Sequence, residues 1–330
     1  MSRRETTNED GLTDKIKQAA IWLVLSKIIL QAFRWSVTFI VIRLLTPDDY
    51  GLAAISEVII GFSLIFASEN LTASIIQKKE VSGSELSELF GFTLILGLLI
   101  TAIIYFSAPL LGEYFEENRL IHLLQISVIG VMAAVLSTLP SSILVKKMDF
   151  KTLSIIQVVS SLSGSLGTLV LALQGHGVYS LIIGQIITLS VRFLLLWSWK
   201  PLLIKPSFFK ISNIKDQLFF NMSLLLSGIL WLAYSKVDVV VGGKLMSISD
   251  LGIYAVALQL AVLPVNKIMP IVKQVAFPAY STIQDNANRR NILFIKSNTL
   301  ALFILLPIIF GLSSTSKQCA EPLTQMIPQA

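Results

Sequence analysis

Four residues, Lys27, Gln31, Arg34 and Thr38, follow one another at intervals of four, three and four inside an apolar run. At about 100° per helical residue, this spacing confines them to an arc of roughly 60° on one helix face. Two cations on such a stripe suit an anionic ligand, since Lys offers a point charge and Arg a planar fork that grips phosphate or carboxylate. Further on, Lys236 and Asp238 stand two residues apart among Val and Leu, with Asn221, Ser227 and Tyr234 nearby. Glu57 and Glu69, Arg192, and Lys267 interrupt three other apolar runs. The deep cations therefore number five (Lys27, Arg34, Arg192, Lys236, Lys267) and the deep acids three (Glu57, Glu69, Asp238). An excess of positive charge favours an anionic cargo group such as a pyrophosphate. The acids Glu57, Glu69 and Asp238 suit coupling to protons or sodium. Blander roles compete: Arg192 and Lys267 lie near the ends of their runs, within snorkelling reach of lipid headgroups, and Lys236 and Asp238 can neutralise each other or their neighbours.

Signals for catalysis are missing. His122 and His176 stand apart with no cluster of metal ligands around them, and no cofactor motif occurs. No Gly-rich loop ends in Lys-Ser or Lys-Thr, which argues against an ATP-driven pump. Glu113, Glu116 and Glu117 read as a solvated turn. Cys319 is the single cysteine, so no intramolecular disulfide forms.

The elements that must position these charges follow from composition. Of 330 residues, 54% are hydrophobic and 14% charged, against about 25% charged in soluble domains. A larger core cannot absorb that deficit, because the surface of a soluble protein must stay wet. Lipid is the solvent that fits, and there each backbone amide needs a partner within its own segment, so the runs must be helices. Roughly 20 apolar residues cross a bilayer. Nine such spans are expected: Ile21–Leu45, Gly51–Leu71, Leu89–Leu111, Leu120–Val145, Leu153–Leu173, Val178–Trp199, Phe219–Val241, Leu251–Val272 and Ile292–Leu312. An ionisable group at mid-membrane costs about 2.5–3.5 kcal/mol on insertion scales, which is why the deep charges above mark a cavity or pathway. The serines, glycines and threonine between Ser160 and Thr168 read instead as a close helix–helix contact. Pro140, Pro264 and Pro270 fall inside spans and are expected to kink them.

Basic residues set the orientation. With the N-terminus in the cytoplasm, the inside segments hold fifteen: Arg3, Arg4, Lys15, Lys17, Lys78, Lys79, Lys146, Lys147, Lys151, Lys200, Lys205, Lys210, Lys215, Arg289 and Arg290. The outside segments hold four, Arg43, Arg119, Lys244 and Lys317. The net charge of +6 is thereby a topology signal and does not call for nucleic acid. The expected organisation is a cytoplasmic tail (1–18), a six-helix bundle (19–200), a basic connector in the headgroup plane (201–218), three helices of a second bundle (219–313) and an outside tail (314–330). Numbers shifted by 201 bring Thr46 onto Ser247, Asp49 onto Asp250, Gly51 onto Gly252 and Arg43 onto Lys244. This points to a parallel internal repeat about an axis along the membrane normal. Three helices in place of six suggest a C-terminally truncated chain.

Certain stretches carry a resemblance. Arg43-Leu44-Leu45-Thr46-Pro47-Asp48-Asp49-Tyr50-Gly51-Leu52 is similar to the first outer turn of polysaccharide-biosynthesis flippases, a group that includes colanic acid, O-antigen and teichuronic acid exporters. Ala73-Ser74-Ile75-Ile76-Gln77-Lys78-Lys79-Glu80, Gly177-Val178-Tyr179-Ser180-Leu181, Leu251-Gly252-Ile253-Tyr254 and Phe277-Pro278-Ala279-Tyr280-Ser281 resemble later stretches in the same order. The resemblance implies an all-α integral membrane fold of the multidrug/oligosaccharidyl-lipid/polysaccharide exporter kind, with two bundles across a cationic lumen. It implies a bacterial cytoplasmic-membrane location and alternating access for an undecaprenyl-pyrophosphate-linked oligosaccharide. H+ or Na+ is the implied coupling ion, with membrane lipids and polysaccharide polymerases as partners. Lys27, Arg34 and Asp238 carry over as lumen residues. The competing readings are a drug or organic-cation antiporter, for which an acidic lumen is expected, a membrane glycosyltransferase or polymerase, and an inactive fragment.

Overall fold

The computed structural model describes residues 31, 33–65, 83–147, 149–199, 215–282 and 287–314. Among the described residues the chain forms helices and no strand. They are α1 (33–44), α2 (Pro47–Leu64), α3 (Gly83–Tyr114), α4 (Asn118–Lys146), α5 (Phe150–Leu173), α6 (Val178–Trp199), α7 (Lys215–Leu245), α8 (Ile248–Thr282) and α9 (Ala287–Ser314). Six of them, α3 to α8, contain a stretch long and apolar enough to cross a membrane, so this is a multi-pass membrane protein. Several helices outrun the apolar spans by a turn or more, as α3 does at Gly83, where Glu85 and Glu88 begin it.

Their outer surfaces explain why lipid is required. Along α3, Ile95, Leu98, Leu99, Ile103, Phe106 and Leu110 are all more than half exposed. Their spacing of three, one, four, three and four is a helical stripe, and such a surface in water would forfeit about 25 cal/mol per Å².

The chain divides into two compact units, Met1–Leu251 and Gly252–Ala330. In the first, α4 lies at the centre, with Leu120, Leu123, Leu124, Val131 and Val135 fully buried. Helix α1 packs through Val37, Val41 and Leu45 onto Ala172 of α5, flanked by Leu169 and Leu181. Helices α5 and α6 approach most closely. A Cβ on Gly164 would lie 2.6 Å from the carbonyl oxygen of Gly184, and one on Gly167 would lie 2.6 Å from Ile187 Cδ1. The Ser160–Thr168 stretch thus does what small residues do in membranes, letting two backbones touch. At the far end of the bundle, Leu89, Phe90 and Leu139 pack with Trp197, whose Nε1 donates to the carbonyl of Leu136 (3.1 Å). The second unit consists of the rest of α8 and of α9, where Phe303 and Phe310 are largely exposed and Leu305 is buried.

Four tight turns of the first unit meet at one end. Asp49 of α2 faces Gly177 of the α5–α6 turn, Gly51 lies against the carbonyl of Ile248, and Lys244 of α7 reaches the α3–α4 turn. Two of these turns are built alike. Thr46 caps α2: its hydroxyl accepts from Asp49 N (3.4 Å) and donates to Asp49 Oδ2 (2.9 Å), which also takes Thr46 N (3.1 Å). Ser247 caps α8, accepting from Asp250 N (3.1 Å) and donating to Asp250 Oδ2 (2.6 Å). The hydroxyl-x-x-acid pattern at a shift of 201 is the same N-terminal device twice, each satisfying amides that a helix start leaves open.

Candidate functional site

Helix α7 runs beside α2, antiparallel, with small residues on the seam. Gly61 faces Leu232 and Gly228 faces Ile65. Between these contacts and the tight turns, Lys236 of α7 and Glu57 of α2 form an ion pair (Nζ–Oε1 3.7 Å). Their side chains are 30% and 65% exposed, so the pair is partly open on one side. The arrangement joins two residues that the sequence assigned to different roles, Lys236 to the cargo and Glu57 to the coupling ion. A carboxylate here holds an ammonium in place and competes with any incoming anion for it.

Asp238 lies half-buried further along α7, and its Oδ1 accepts from the Val239 amide (2.9 Å). Val239 itself is buried, which places Asp238 at the margin of the packed face. Arg34 on α1 is exposed, and no ion pair engages it among the described residues. Its carbonyl accepts from Thr38 Oγ1 (2.8 Å), another member of the predicted stripe. Gln31 is half-buried on the same stripe. Lys27 and Glu69 lie outside the described residues, and for Lys267 the description extends to its place in α8 but not to its side chain.

Arg192 takes a different position from the seam. Its guanidinium donates to Ser141 Oγ (3.2 Å), so it ties α6 to α4 within the bundle, next to Pro140. Pro140 removes one helical amide and loosens the turn around it, and Ser142, beside it, donates to the carbonyl of Thr138 (2.7 Å). A charged donor reinforces that segment.

Sequence reasoning passes over two residues at the opposite end. Lys244 Nζ bonds Glu116 Oε1 (2.8 Å) and donates to the Tyr114 carbonyl (2.9 Å), with the Tyr114 ring centroid 5.3 Å away. The hydrogen bond and charge of Lys244 hold the Glu116 carboxyl below the usual carboxylate range. In the sequence Glu116 reads as part of a solvated turn, and its side chain is indeed 81% exposed. The signal available there is the correspondence of Lys244 to Arg43 across the repeat.

Comparison with known proteins gives one consistent answer. The family described as "Polysaccharide biosynthesis protein" matches residues 40–327. A membrane protein of the Klebsiella pneumoniae cps region is 27% identical over 298 residues, 90% of this chain and 61% of that protein. The teichuronic acid biosynthesis protein TuaB of Bacillus subtilis is 26% identical, over 77% of this chain and 53% of its own. The lipopolysaccharide biosynthesis protein WzxC of Escherichia coli is 24% identical, over 93% and 62%. The chain spans between 53% and 62% of the length of the curated relatives it matches. Among solved structures, an inward-facing multidrug resistance MATE family transporter of the MOP superfamily shares the fold, with a TM-score of 0.62 and 15% identity over 88% of this chain and 72% of that one.

Proposed function

The chain belongs to the polysaccharide biosynthesis protein family, and from that premise we propose that it moves lipid-linked oligosaccharide repeat units across the bacterial cytoplasmic membrane for assembly of surface polysaccharide. The observation that carries the reading is the Lys236–Glu57 pair on the α2–α7 seam. A cation kept beside a carboxylate, partly open at membrane depth, is suited to trading that carboxylate for a pyrophosphate, because charge-assisted bonds to phosphate are strong and Lys is a good point partner for it. Arg34, exposed on α1, is a second cation that an anionic cargo can meet. Glu57 released by the exchange becomes free to take a proton or sodium, which couples movement to an ion gradient.

In this reading the N-terminus is cytoplasmic, residues 19–200 form the first bundle, and residues 219–313 begin the second. The tight turns then lie on the outer side. The Thr46–Asp49 and Ser247–Asp250 caps support a parallel repeat, and alternating access follows from one bundle rocking against the other. The names of the relatives support the polysaccharide class: besides TuaB and WzxC, a succinoglycan biosynthesis transport protein of Rhizobium meliloti, ExoT, is 23% identical over 88% of this chain. A drug or organic-cation antiporter shares the fold class, but its cargo calls for an acidic lumen, whereas the deep groups here number five cations to three acids.

Gene deletion tests the proposal. Loss of the gene should lower surface polysaccharide and raise the lipid-linked repeat units trapped in the inner leaflet, and supply of the gene should reverse both. Unchanged amounts of both in the deletion strain would reject the cargo.

A further inference from the structure

We propose that Glu116 and Lys244 form a latch that biases the outer end of the seam towards its closed state. The inference rests on the orientation given above, which puts the tight turns outside, but not on the identity of the cargo.

The first observation is where the two residues sit. Lys244 is the penultimate residue of α7 and Glu116 lies in the turn between α3 and α4. Their contact ties the outer end of α7 to the α3–α4 turn. Directly beneath it the seam is shut by apolar packing: a Cβ on Gly243 would lie 2.9 Å from the Phe115 ring and 3.2 Å from Ile55 Cδ1. Phe115, Ile55 and Leu251 are all buried. Below them on α7 is Val239, three residues from Lys236 and four from Gly243 on the same helical face, and it is buried. Lys236 and Glu57 follow inwards along the same helices. A route from the outer end along the seam to that pair opens these layers.

The second observation is the backbone at Glu116. The amide of Glu116 bonds the carbonyl of Glu113 (3.1 Å) and that of Glu117 bonds Gly112 (2.9 Å). This is a Schellman ending, whose pivotal residue adopts the left-handed conformation and is usually Gly. Helix α5 ends in the same way, Gly175 bonding Ala172 (3.0 Å) and His176 bonding Leu171 (3.1 Å), and there Gly175 is the pivot (φ +80°). At α3 the pivot is Glu116 (φ +59°), the one non-Gly residue at positive φ among the described residues. A side chain with a Cβ is strained there. An outlier of this kind points to a use for the side chain, and the use on display is the bond to Lys244.

An exposed pair contributes little hold, which suits a latch that must release on each cycle. Its loss should raise the population of the opened outer end by about threefold.

The test uses the full chain with Cys319→Ser and a reporter substitution on the seam, Val239→Cys, in right-side-out membrane vesicles. The reaction of this reporter thiol with an impermeant thiosulfonate added outside is timed. Glu116→Gly and Lys244→Ala are expected to react about threefold faster than the parent, while Lys244→Arg stays close to it. Glu116→Gly also relieves the strained turn, so its thermal midpoint should hold or rise while its outer end opens more. A purely structural role predicts the reverse: labelling unchanged and only stability moved. Unchanged rates in both Glu116→Gly and Lys244→Ala, or Lys244→Arg reacting as fast as Lys244→Ala, would overturn the latch. Because no cargo enters the assay, that outcome leaves the transport proposal standing, and failure of transport leaves the latch standing.

Discussion

Replacing Glu57 by Gln removes the carboxylate that competes for Lys236 while leaving side-chain size nearly unchanged. Two unit charges 3.7 Å apart attract by about 1 kcal/mol at the dielectric of water and by about 4–5 kcal/mol at an effective dielectric of 20. With the side chains 30% and 65% exposed, the lower figure applies. An anion that binds Lys236 in place of Glu57 therefore gains about 1 kcal/mol in the Glu57→Gln variant, or about fivefold in Kd. Lys236→Ala should weaken binding by a similar or larger factor, so the two variants should move affinity in opposite directions although both break one ion pair. Titration of the purified chain in detergent with a short-chain polyprenyl pyrophosphate, followed by tryptophan fluorescence, reads Kd directly. The opposition in sign is the critical feature. If Glu57→Gln and Lys236→Ala weaken binding alike, the pair is a structural tie. If neither alters Kd, the anion binds elsewhere.

Three further outcomes follow from the same geometry. Gly164→Val should force α5 from α6, since even a Cβ meets the Gly184 carbonyl at 2.6 Å; overpacking of this kind costs about 1–3 kcal/mol, read as a lower thermal midpoint, whereas an unchanged midpoint would contradict the contact. Thr46→Ala and Ser247→Ala should each cost about 1 kcal/mol of stability through loss of a helix cap, and by similar amounts, because the two caps are built alike; thermal midpoints that differ widely between the two would refute the equivalence. The pH dependence of the latch follows from the lowered carboxyl of Glu116, whose main cause is the hydrogen bond from Lys244 and whose second is that residue's charge. A carboxyl lowered in the folded state contributes above its unfolded value and loses that contribution as pH falls through the lowered one, so labelling of the thiol introduced by Val239→Cys, divided at each pH by the rate of a freely accessible thiol to remove the loss of thiolate in acid, should stay low from neutral pH down to about 5 and rise only in stronger acid. A rise between about pH 7 and 6 in that assay would assign the closure to another group.

The helices are legible in the sequence because lipid imposes one rule on every apolar run, and the small residues from Ser160 to Thr168 declare a close contact by their size alone. The repeated turn is also legible: Thr46 with Asp49 and Ser247 with Asp250 align by residue type, and the caps they form show why those types recur. Partners are not legible. Periodicity tells which residues share a face but not which faces meet, so nothing in the sequence joins Lys236 to Glu57, 179 positions away in the chain, or Arg192 to Ser141. Glu116 escapes notice for a different reason. Three acids near a helix end look like hydration, and the departure that singles one out is a backbone angle, which composition does not carry.

The central claim, that this chain carries a lipid-linked anionic saccharide across a bilayer, is tested most directly by transport itself. The purified chain is reconstituted into vesicles preloaded in their inner leaflet with a polyprenyl-pyrophosphate oligosaccharide, and exposure of the sugar to an external lectin is timed, with an inward proton or sodium gradient imposed in turn. The account predicts faster exposure than in protein-free vesicles, slowed by Lys236→Ala and by Arg34→Glu. Exposure no faster than in protein-free vesicles under every gradient, or exposure indifferent to both substitutions, would contradict it.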